Sequence, residues 1–239
     1  CEEIKFFLVG GDGGFSGGTV ASMLNVAQEM KSKATRRILG HPYGLNPEGK
    51  RRGPDGADQM GVERDPVTGW WTGPFIMASV NTRVVRRSNA LLDDLYGSAF
   101  KYGEVMKFGR GLAGLARASA FAGGLGAFMG GVAWAPTRRL LARSVLPKPG
   151  EGPSREKIER GFFKIILSAR NGNSEVGRAV VNGRRDPGYG ATACMLSESA
   201  LCLAFDALEG GGALTPASAM GQALIDRLNA ADVHFTLDV

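Results

Sequence analysis

Residues 162–182 have the sequence FFKIILSARNGNSEVGRAVVN, in which two β-rich segments flank a short polar turn. The segments are residues 162–169 and 176–182, and both are rich in β-branched or aromatic side chains. Between them, Asn171-Gly172-Asn173 supplies residues that tolerate the positive φ of a reversing turn. The pattern predicts an antiparallel β-hairpin.

Upstream of this hairpin, the chain begins with a strand pattern. Residues 4–9 are apolar and aromatic, which predicts a buried strand. A glycine cluster at residues 10–18 then leads into helical spacing over residues 19–27. Residues 40–74 are rich in Gly and Pro and predict loop and hairpin.

The middle of the chain is expected to return to strand and helix. Residues 74–80 (PFIMASV) resemble a strand, and Asn81 is placed to cap a helix that stops at Gly97. We expect the arginines that follow Asn81 to lie on this helix.

Downstream of the hairpin, helical periodicity over residues 191–208 ends at a run of three glycines. Thr215 then precedes Pro216, an arrangement that predicts a capped helix from Pro216 to about residue 230. Apolar residues alternate over residues 233–239, which indicates a terminal strand with one buried face. Strands and helices are mixed, so the predicted fold class is α+β, with a mixed or antiparallel sheet and packed helices.

Composition excludes several classes of protein. The 239 residues include 29 Lys+Arg, 23 Asp+Glu and 44% hydrophobic residues, a balance typical of a globular chain with a substantial core. Three scattered cysteines (Cys1, Cys194 and Cys202) provide neither a disulfide framework nor, with His41 and His234, a zinc-ligand spacing. The net charge of +6 comes with dispersed arginine pairs, so no metal and no nucleic acid partner is expected.

Residues 118–135 form an uncharged stretch of eighteen residues, five of them Gly and six Ala. Its large side chains fall on one helical face, leaving Gly126 and Gly130 in GxxxG spacing on the other. The stripe consists of Phe121, Leu125, Phe128, Met129 and Val132. Three interpretations remain open: a core or inter-subunit helix, an interfacial helix whose stripe contacts a membrane, and a membrane span.

The first glycine cluster resembles two functional motifs. Gly11 and Gly13 begin a dinucleotide-binding pattern, but Ser16 occupies the position of the third glycine. Residues 14–18 (GFSGG) match the Gly-x-Ser-x-Gly turn of serine hydrolases, and Asp206 and His234 follow in the order of such a triad. A serine hydrolase using Ser16 and His234 is therefore carried as an alternative, as is a non-enzymatic membrane or dimerisation module.

Several short segments together resemble a known family. In chain order they read FSGGT (residues 15–19), VVRRS (84–88), GPS (152–154) before Phe162-Phe163, DPGYGAT (186–192), GALTPA (212–217) and LIDRLN (224–229). The chain resembles the C-terminal half of saccharopine dehydrogenase-like oxidoreductases, a family that includes trans-acting enoyl reductases of bacterial lipid assembly. The likeness covers nearly the whole chain and is most specific over the last eighty residues.

This resemblance implies that residues 1–239 form the C-terminal substrate-binding and dimerisation region of a Rossmann-containing enzyme, with residues 111–146 as an apolar helical insertion. NADP would be bound mainly by an N-terminal domain, and the start at Cys1 within a predicted strand leads us to expect a truncated chain that is inactive alone. The implied reaction is reduction of a double bond in a lipid or acyl substrate. The implied protein is a cytoplasmic homodimer that could also contact a membrane.

Six polar residues are candidates for substrate binding, because they lie on the glycine loop and at two predicted helix starts. They are Ser16, Thr19, Asn81, Arg83, Tyr189 and Thr192. No family motif assigns a proton donor, so no catalytic residue is predicted.

Overall fold

The computed structural model describes residues 1–12, 25, 29, 32–134, 136–137 and 152–238. Seven strands form one mixed sheet in the order β2-β3-β4-β1-β5-β6-β7. The strands are β1 (Glu3–Asp12), β2 (Glu63–Arg64), β3 (Trp71–Pro74), β4 (Lys101–Gly109), β5 (Phe162–Asn171), β6 (Ser174–Arg184) and β7 (Val233–Asp238). The predicted α+β class is confirmed.

Six helices whose bounds lie within the described residues accompany the sheet. They are α1 (Lys33–Leu39), α2 (Ala78–Leu91), α3 (Gly111–Ala133), α4 (Arg155–Arg160), α5 (Gly190–Phe205) and α6 (Pro216–Ala230). The predicted cap of α6 is confirmed, since the Thr215 hydroxyl accepts a hydrogen bond from the Ser218 N–H.

Strand β1 is central and pairs in two directions. It runs parallel to β4 and antiparallel to β5. The predicted hairpin is confirmed as β5 and β6, whose turn contains Gly172 at φ 56°. In that conformation a glycine avoids the strain that a side chain would add.

The two faces of the sheet are covered differently. One face packs against helices, with one cluster around Phe6 and Phe100 and another that includes Phe163 and Leu228 of α6. On the other face, the buried cluster of Phe7, Val105 and Ile166 is joined by Val9, Val180 and Trp70 and by no residue of a described helix.

The middle of the chain departs from the sequence prediction. Residues 74–80 do not form a strand, because β3 ends at Pro74 and α2 begins at Ala78. Asn81 is not the cap of this helix but lies within it, and the helix ends at Leu91 rather than at Gly97. Strand β4 was not predicted at all.

Two C-terminal predictions also need correction. Helix α5 ends at Phe205, three residues before the predicted end. In β7, Val233 is buried but Leu237 is 80% exposed, so the predicted buried face is largely open in this chain. The helix predicted over residues 19–27 lies outside the described residues.

Helix α3 contains the uncharged stretch and is the one helix of the described chain long and apolar enough to cross a membrane, although only 11% of its apolar window is buried. The sequence predicts a face of large side chains and a face of small residues, but in the structure the large side chains do not all face outward. Phe121 packs against Phe108 with ring centroids 5.3 Å apart, and Val132 is buried, so the stripe turns partly inward. A Cβ placed on Gly126 or Gly130 would meet nothing within 4 Å, so the small-residue face is open.

A buried ion pair lies at one end of the sheet face that carries Phe7. Arg170 on β5 donates two hydrogen bonds to Asp65, at 2.8 and 3.1 Å, and both side chains are 3% exposed. Burial alone would raise the pKa of Asp65, but hydrogen bonds from Arg170 and Thr68 outweigh it and hold the pKa below its usual value. The pair fixes the β2–β3 turn and with it Trp70. The Trp70 ring lies perpendicular to the Phe7 ring, with ring centroids 5.2 Å apart.

We expect Asp65→Ala to lower the free energy of unfolding by about 3–5 kcal/mol, because it leaves the Arg170 charge buried without a partner. Urea unfolding at pH 7 measures the change. Asp93→Asn is the control, since Asp93 pairs with Lys50 at an exposed site and should cost less than about 1 kcal/mol. Equal, small effects of both substitutions would contradict a structural role for the buried pair.

The depressed pKa of Asp65 also fixes the sign of a pH effect. Its stabilisation is fully present above the unfolded pKa and is lost as the pH falls through the lower folded pKa. The difference between wild type and Asp65→Ala should therefore shrink in acid.

Candidate functional site

A buried carboxyl group lies between β4 and α2. Glu104 is 4% exposed, and its side chain points to the helix-covered face of the sheet. The Tyr102 hydroxyl donates to Glu104 Oε1 at 2.9 Å, and Asn81 Nδ2 donates to Glu104 Oε2 at 3.0 Å. Both hydrogen-bond donors to this carboxyl group are therefore neutral.

The cations nearby are already paired with other acids. Arg86 Nε donates to Asp55 Oδ2 at 2.8 Å, and Arg83 Nη1 donates to Asp58. All four of these side chains are largely buried. Two arginines thus balance two aspartates, which leaves Glu104 as a third acid without a cation of its own.

This imbalance determines the protonation of Glu104. Burial raises the pKa of Glu104 from 4.5 to about 7, although the hydrogen bonds from Tyr102 and Asn81 act in the opposite direction. Burial and the charge of Glu104 also raise the pKa of Tyr102, which keeps its hydroxyl neutral. At neutral pH the carboxyl group is divided between its protonated and ionised forms.

A carboxyl group with a pKa near 7 can give up or take a proton under physiological conditions. Proton transfer by such a group is efficient because its pKa lies close to the operating pH. Of the three residues, Asn81 is the least buried, so the amide lies on the outer side of the cluster. We therefore regard Glu104, Tyr102 and Asn81 as the candidate functional site.

Of the predicted substrate-binding residues, Asn81 belongs to this cluster and Arg83 lies two residues further along α2. Asn81 contacts Glu104 directly. Arg83 is 4% exposed, and its guanidinium group donates to Asp58 and, from Nε, to the Leu39 carbonyl at 3.0 Å. Arg83 thus holds α2 against the preceding segments of the chain.

The other predicted residues lie elsewhere. The Thr192 hydroxyl donates to the Pro187 carbonyl at 2.6 Å, and the Tyr189 N–H donates to Asp186 at 2.6 Å, so both stabilise the start of α5. Within the described chain, no hydrogen bond joins this pair to Asn81 or Arg83. Ser16 and Thr19 lie outside the described residues.

The residues of the alternative hydrolase triad have other partners. Asp206 accepts two hydrogen bonds from Arg227, at 2.6 and 2.7 Å, and this pairing lowers the pKa of Asp206 to about 2. His234 lies exposed on β7 opposite Asn182. The carboxylate that the triad would need is thus committed to an arginine.

Sequence reasoning missed Glu104 and Tyr102 because it missed β4. The signal was the alternation over residues 101–109, where Tyr102, Met106 and Phe108 share one side of a strand with Glu104. An acid on the apolar side of a strand is a candidate for a perturbed pKa.

The motifs that carry the family resemblance form hydrogen bonds that join parts of the fold. Ser88 and Thr215 share a hydrogen bond of 2.8 Å between hydroxyls, which joins α2 to the start of α6. Arg87 donates to the Ala213 carbonyl at 2.6 Å. Asp186 is fully buried and accepts from the Gly188 and Tyr189 N–H groups.

No group of three or more potential metal ligands occurs among the residues that the structure describes. The fold and the buried acid together define an α+β domain with a candidate site for proton transfer. No family model matches the chain. No solved structure matches it either.

Similar proteins occur in mycobacteria. A Mycobacterium tuberculosis protein, provisionally named a trans-acting enoyl reductase, is 43% identical over 239 aligned positions that cover 92% of this chain and 56% of the relative. Proteins named trans-acting enoyl reductase from Mycobacterium bovis and Mycobacterium ulcerans are each 37% identical, covering 91% and 89% of this chain and 55% and 54% of the relatives. The chain spans about half the length of these relatives.

The raised pKa of Glu104 makes stability depend on pH. Between pH 4.5 and about 7, the native state keeps a proton that the unfolded chain has released, so the free energy of unfolding falls as the pH rises. This contribution of Glu104 to the free energy of unfolding, on the order of 3 kcal/mol, is fully present below the unfolded pKa of 4.5. It is lost as the pH rises through the folded pKa of about 7.

We expect Glu104→Gln to remove this part of the pH dependence, because glutamine keeps the shape and stays neutral. Urea unfolding at pH 5 and pH 8 measures it in both proteins. Glu63→Gln, at an exposed position on β2, should keep the wild-type dependence. The same dependence in wild type and Glu104→Gln would show that Glu104 titrates normally.

Proposed function

We propose that this chain is the C-terminal, substrate-binding part of an NADP-dependent enoyl reductase of the saccharopine dehydrogenase-like kind, which reduces a carbon–carbon double bond in a lipid or acyl substrate. The names of the relatives support the reaction. The observation in this chain that carries the proposal is Glu104, a buried carboxyl group whose pKa of about 7 suits a proton donor.

Reduction of a conjugated double bond adds a hydride to one carbon and a proton to the other. When bound, the reduced nicotinamide supplies the hydride. Glu104 holds the proton on its carboxyl group, and the Asn81 amide and the Tyr102 hydroxyl keep that group oriented. Arg86 holds α2 against β4 through the Tyr102 carbonyl, Arg83 holds the same helix against Asp58 of the preceding loop, and together they position Asn81.

The test is a reductase assay of the complete protein with NADPH and an α,β-unsaturated acyl thioester, followed by loss of NADPH absorbance. We expect wild-type kcat to fall as the pH rises through about 7, because the donor must be protonated. Glu104→Gln should lower kcat at least tenfold and abolish the fall of kcat with rising pH. Glu63→Gln should leave kcat and its pH dependence unchanged.

Two outcomes would contradict the assignment. If no unsaturated acyl thioester is reduced, the proposed reaction is wrong. If Glu104→Gln folds and keeps the wild-type kcat and pH profile, the reaction stands but its proton comes from elsewhere.

The proposal includes a homodimer, and exposed apolar side chains of α5 and β7 favour it. Leu203 and Phe205 at the end of α5 are 60% and 76% exposed, and Leu237 on β7 is 80% exposed. Apolar patches of this kind on a soluble protein are typical of interaction sites.

The proposal also includes peripheral contact with a membrane through α3, because most of this apolar helix is exposed. Leu112 and Met129 are its exposed large side chains, at 84% and 48%. We expect Leu112→Glu/Met129→Glu to reduce co-sedimentation of the protein with anionic vesicles, because it places charges in the contacting surface.

Leu95→Glu is the control for this experiment, since Leu95 is 73% exposed and lies outside α3. If wild type stays in the supernatant at low salt, or if the double variant sediments equally well, α3 does not contact the membrane.

A further inference from the structure

Strand β4 has an open edge beside the candidate site. Its neighbour β3 ends at Pro74, opposite Val105, and no described strand pairs with β4 at Tyr102 on that side. The Lys101 N–H donates to the Glu2 carbonyl at 2.8 Å, on the β1 side, and successive residues of a strand direct their backbone groups to opposite sides. The N–H and carbonyl of Tyr102, a buried residue, therefore need partners other than a strand.

An ion pair takes the place of a partner strand at this edge. Asp55 Oδ1 accepts a hydrogen bond from the Tyr102 N–H, and Arg86 Nη2 donates to the Tyr102 carbonyl, each at 3.0 Å. Arg86 Nε also donates to Asp55 Oδ2 at 2.8 Å, so the ion pair joins the two polar groups of the Tyr102 backbone. Tyr102 and Glu104 lie two residues apart on the same side of β4, where the Tyr102 hydroxyl donates to Glu104 at 2.9 Å. The position of this hydroxyl therefore depends on Asp55 and Arg86.

The buried side chain of Tyr43 contacts both members of this ion pair. Its hydroxyl accepts a hydrogen bond from the Asp55 N–H and donates one to Asp55 Oδ2, both at 2.9 Å. Burial raises the pKa of Tyr43 to about 12, so the hydroxyl keeps the proton that it donates. The ring lies beside the Arg86 guanidinium group, with 5.5 Å between the guanidinium carbon and the ring centroid. Tyr43 thus fixes the Asp55 carboxylate on one side while Arg86 and Tyr102 fix it on the other.

A glycine allows the loop to pass this close to Tyr43. A Cβ placed on Gly53 would overlap the Cζ atom and the hydroxyl oxygen of Tyr43. Two residues later the chain reaches Asp55, whose N–H donates to the same hydroxyl. A side chain at Gly53 would therefore separate the hydroxyl from Asp55 without changing either residue.

We propose that Tyr43 is a positioning residue for proton transfer at Glu104, acting through the Asp55 carboxylate and the backbone of Tyr102. Within the described chain no hydrogen bond joins Tyr43 to Glu104, so its effect passes through these two residues. The inference rests on the proposed function, in which Glu104 is the proton donor, and it adds the group that holds the orienting hydroxyl in place. Loss of the Tyr43 hydroxyl leaves Asp55 one donor short, and the Tyr102 hydroxyl is then less firmly held on Glu104.

The first experiment is an NMR titration of the Glu104 carboxyl carbon in the full chain, which needs no enzymatic activity. Burial raises the pKa of Glu104 and the hydrogen bond from Tyr102 opposes that rise, so weakening this bond moves the midpoint upward. Tyr102→Phe, which removes the bond, should raise the midpoint by about one pH unit, and Tyr43→Phe by about half as much. Tyr96→Phe is the matched control and should keep the wild-type midpoint, because Tyr96 packs against Phe100 and not against Asp55.

Gly53→Ala is the second variant, since it displaces the Tyr43 hydroxyl while keeping it in the protein. We expect it to move the Glu104 midpoint upward as Tyr43→Phe does. A merely structural role for Tyr43 would lower the free energy of unfolding without moving this midpoint. An unchanged midpoint in either folded variant would therefore overturn the proposal.

The second experiment is the reductase assay of the complete protein with NADPH and an α,β-unsaturated acyl thioester. Tyr43→Phe should lower the kcat reached at low pH about fivefold, leave KM for the thioester unchanged and move the pH dependence of kcat upward with the Glu104 midpoint. A raised KM with unchanged kcat would contradict a positioning role. If the Glu104 midpoint moves as expected but wild type reduces no thioester, the hydrogen-bond path from Tyr43 to Glu104 is supported and the proposed reaction is wrong.

Discussion

Charge balance beneath α2 is the constraint on which the centre of this structure depends. Arg83 and Arg86 are buried there, and each needs a carboxylate because an unpaired buried charge costs several kcal/mol. Asp58 and Asp55 meet that need from the loop before β2. The loop, the helix and strand β4 are thereby held together, since Arg86 also donates to the Tyr102 carbonyl.

The same balance gives Glu104 its chemistry. With both arginines committed, the third acid has only neutral hydrogen-bond donors, and its burial keeps the carboxyl group protonated to near pH 7. A cation added beside it would lower its pKa and remove its capacity to donate a proton at neutral pH. The structural ion pairs and the proposed proton donor are therefore parts of one arrangement.

The sequence predicted those parts of the fold whose signals are local. The β5–β6 hairpin follows from a turn that tolerates positive φ, and α6 follows from a capping hydroxyl before a proline. Strand β4 escaped prediction because both of its faces carry a mixture of polar and apolar residues, with Glu104 buried on one side and Lys107 half-buried on the other. Asn81 was expected to cap α2 but lies within it, and nothing local to α2 reveals its partner Glu104, 23 positions away.

The central claim is tested most directly by the pKa of Glu104 itself. An NMR titration of the side-chain carboxyl carbons, with the Glu104 signal assigned from its loss in Glu104→Gln, measures it without reference to activity or stability. The account predicts a midpoint near pH 7. A midpoint near 4.5 would show that the carboxyl group is ionised at neutral pH, and Glu104 could not be the proton donor.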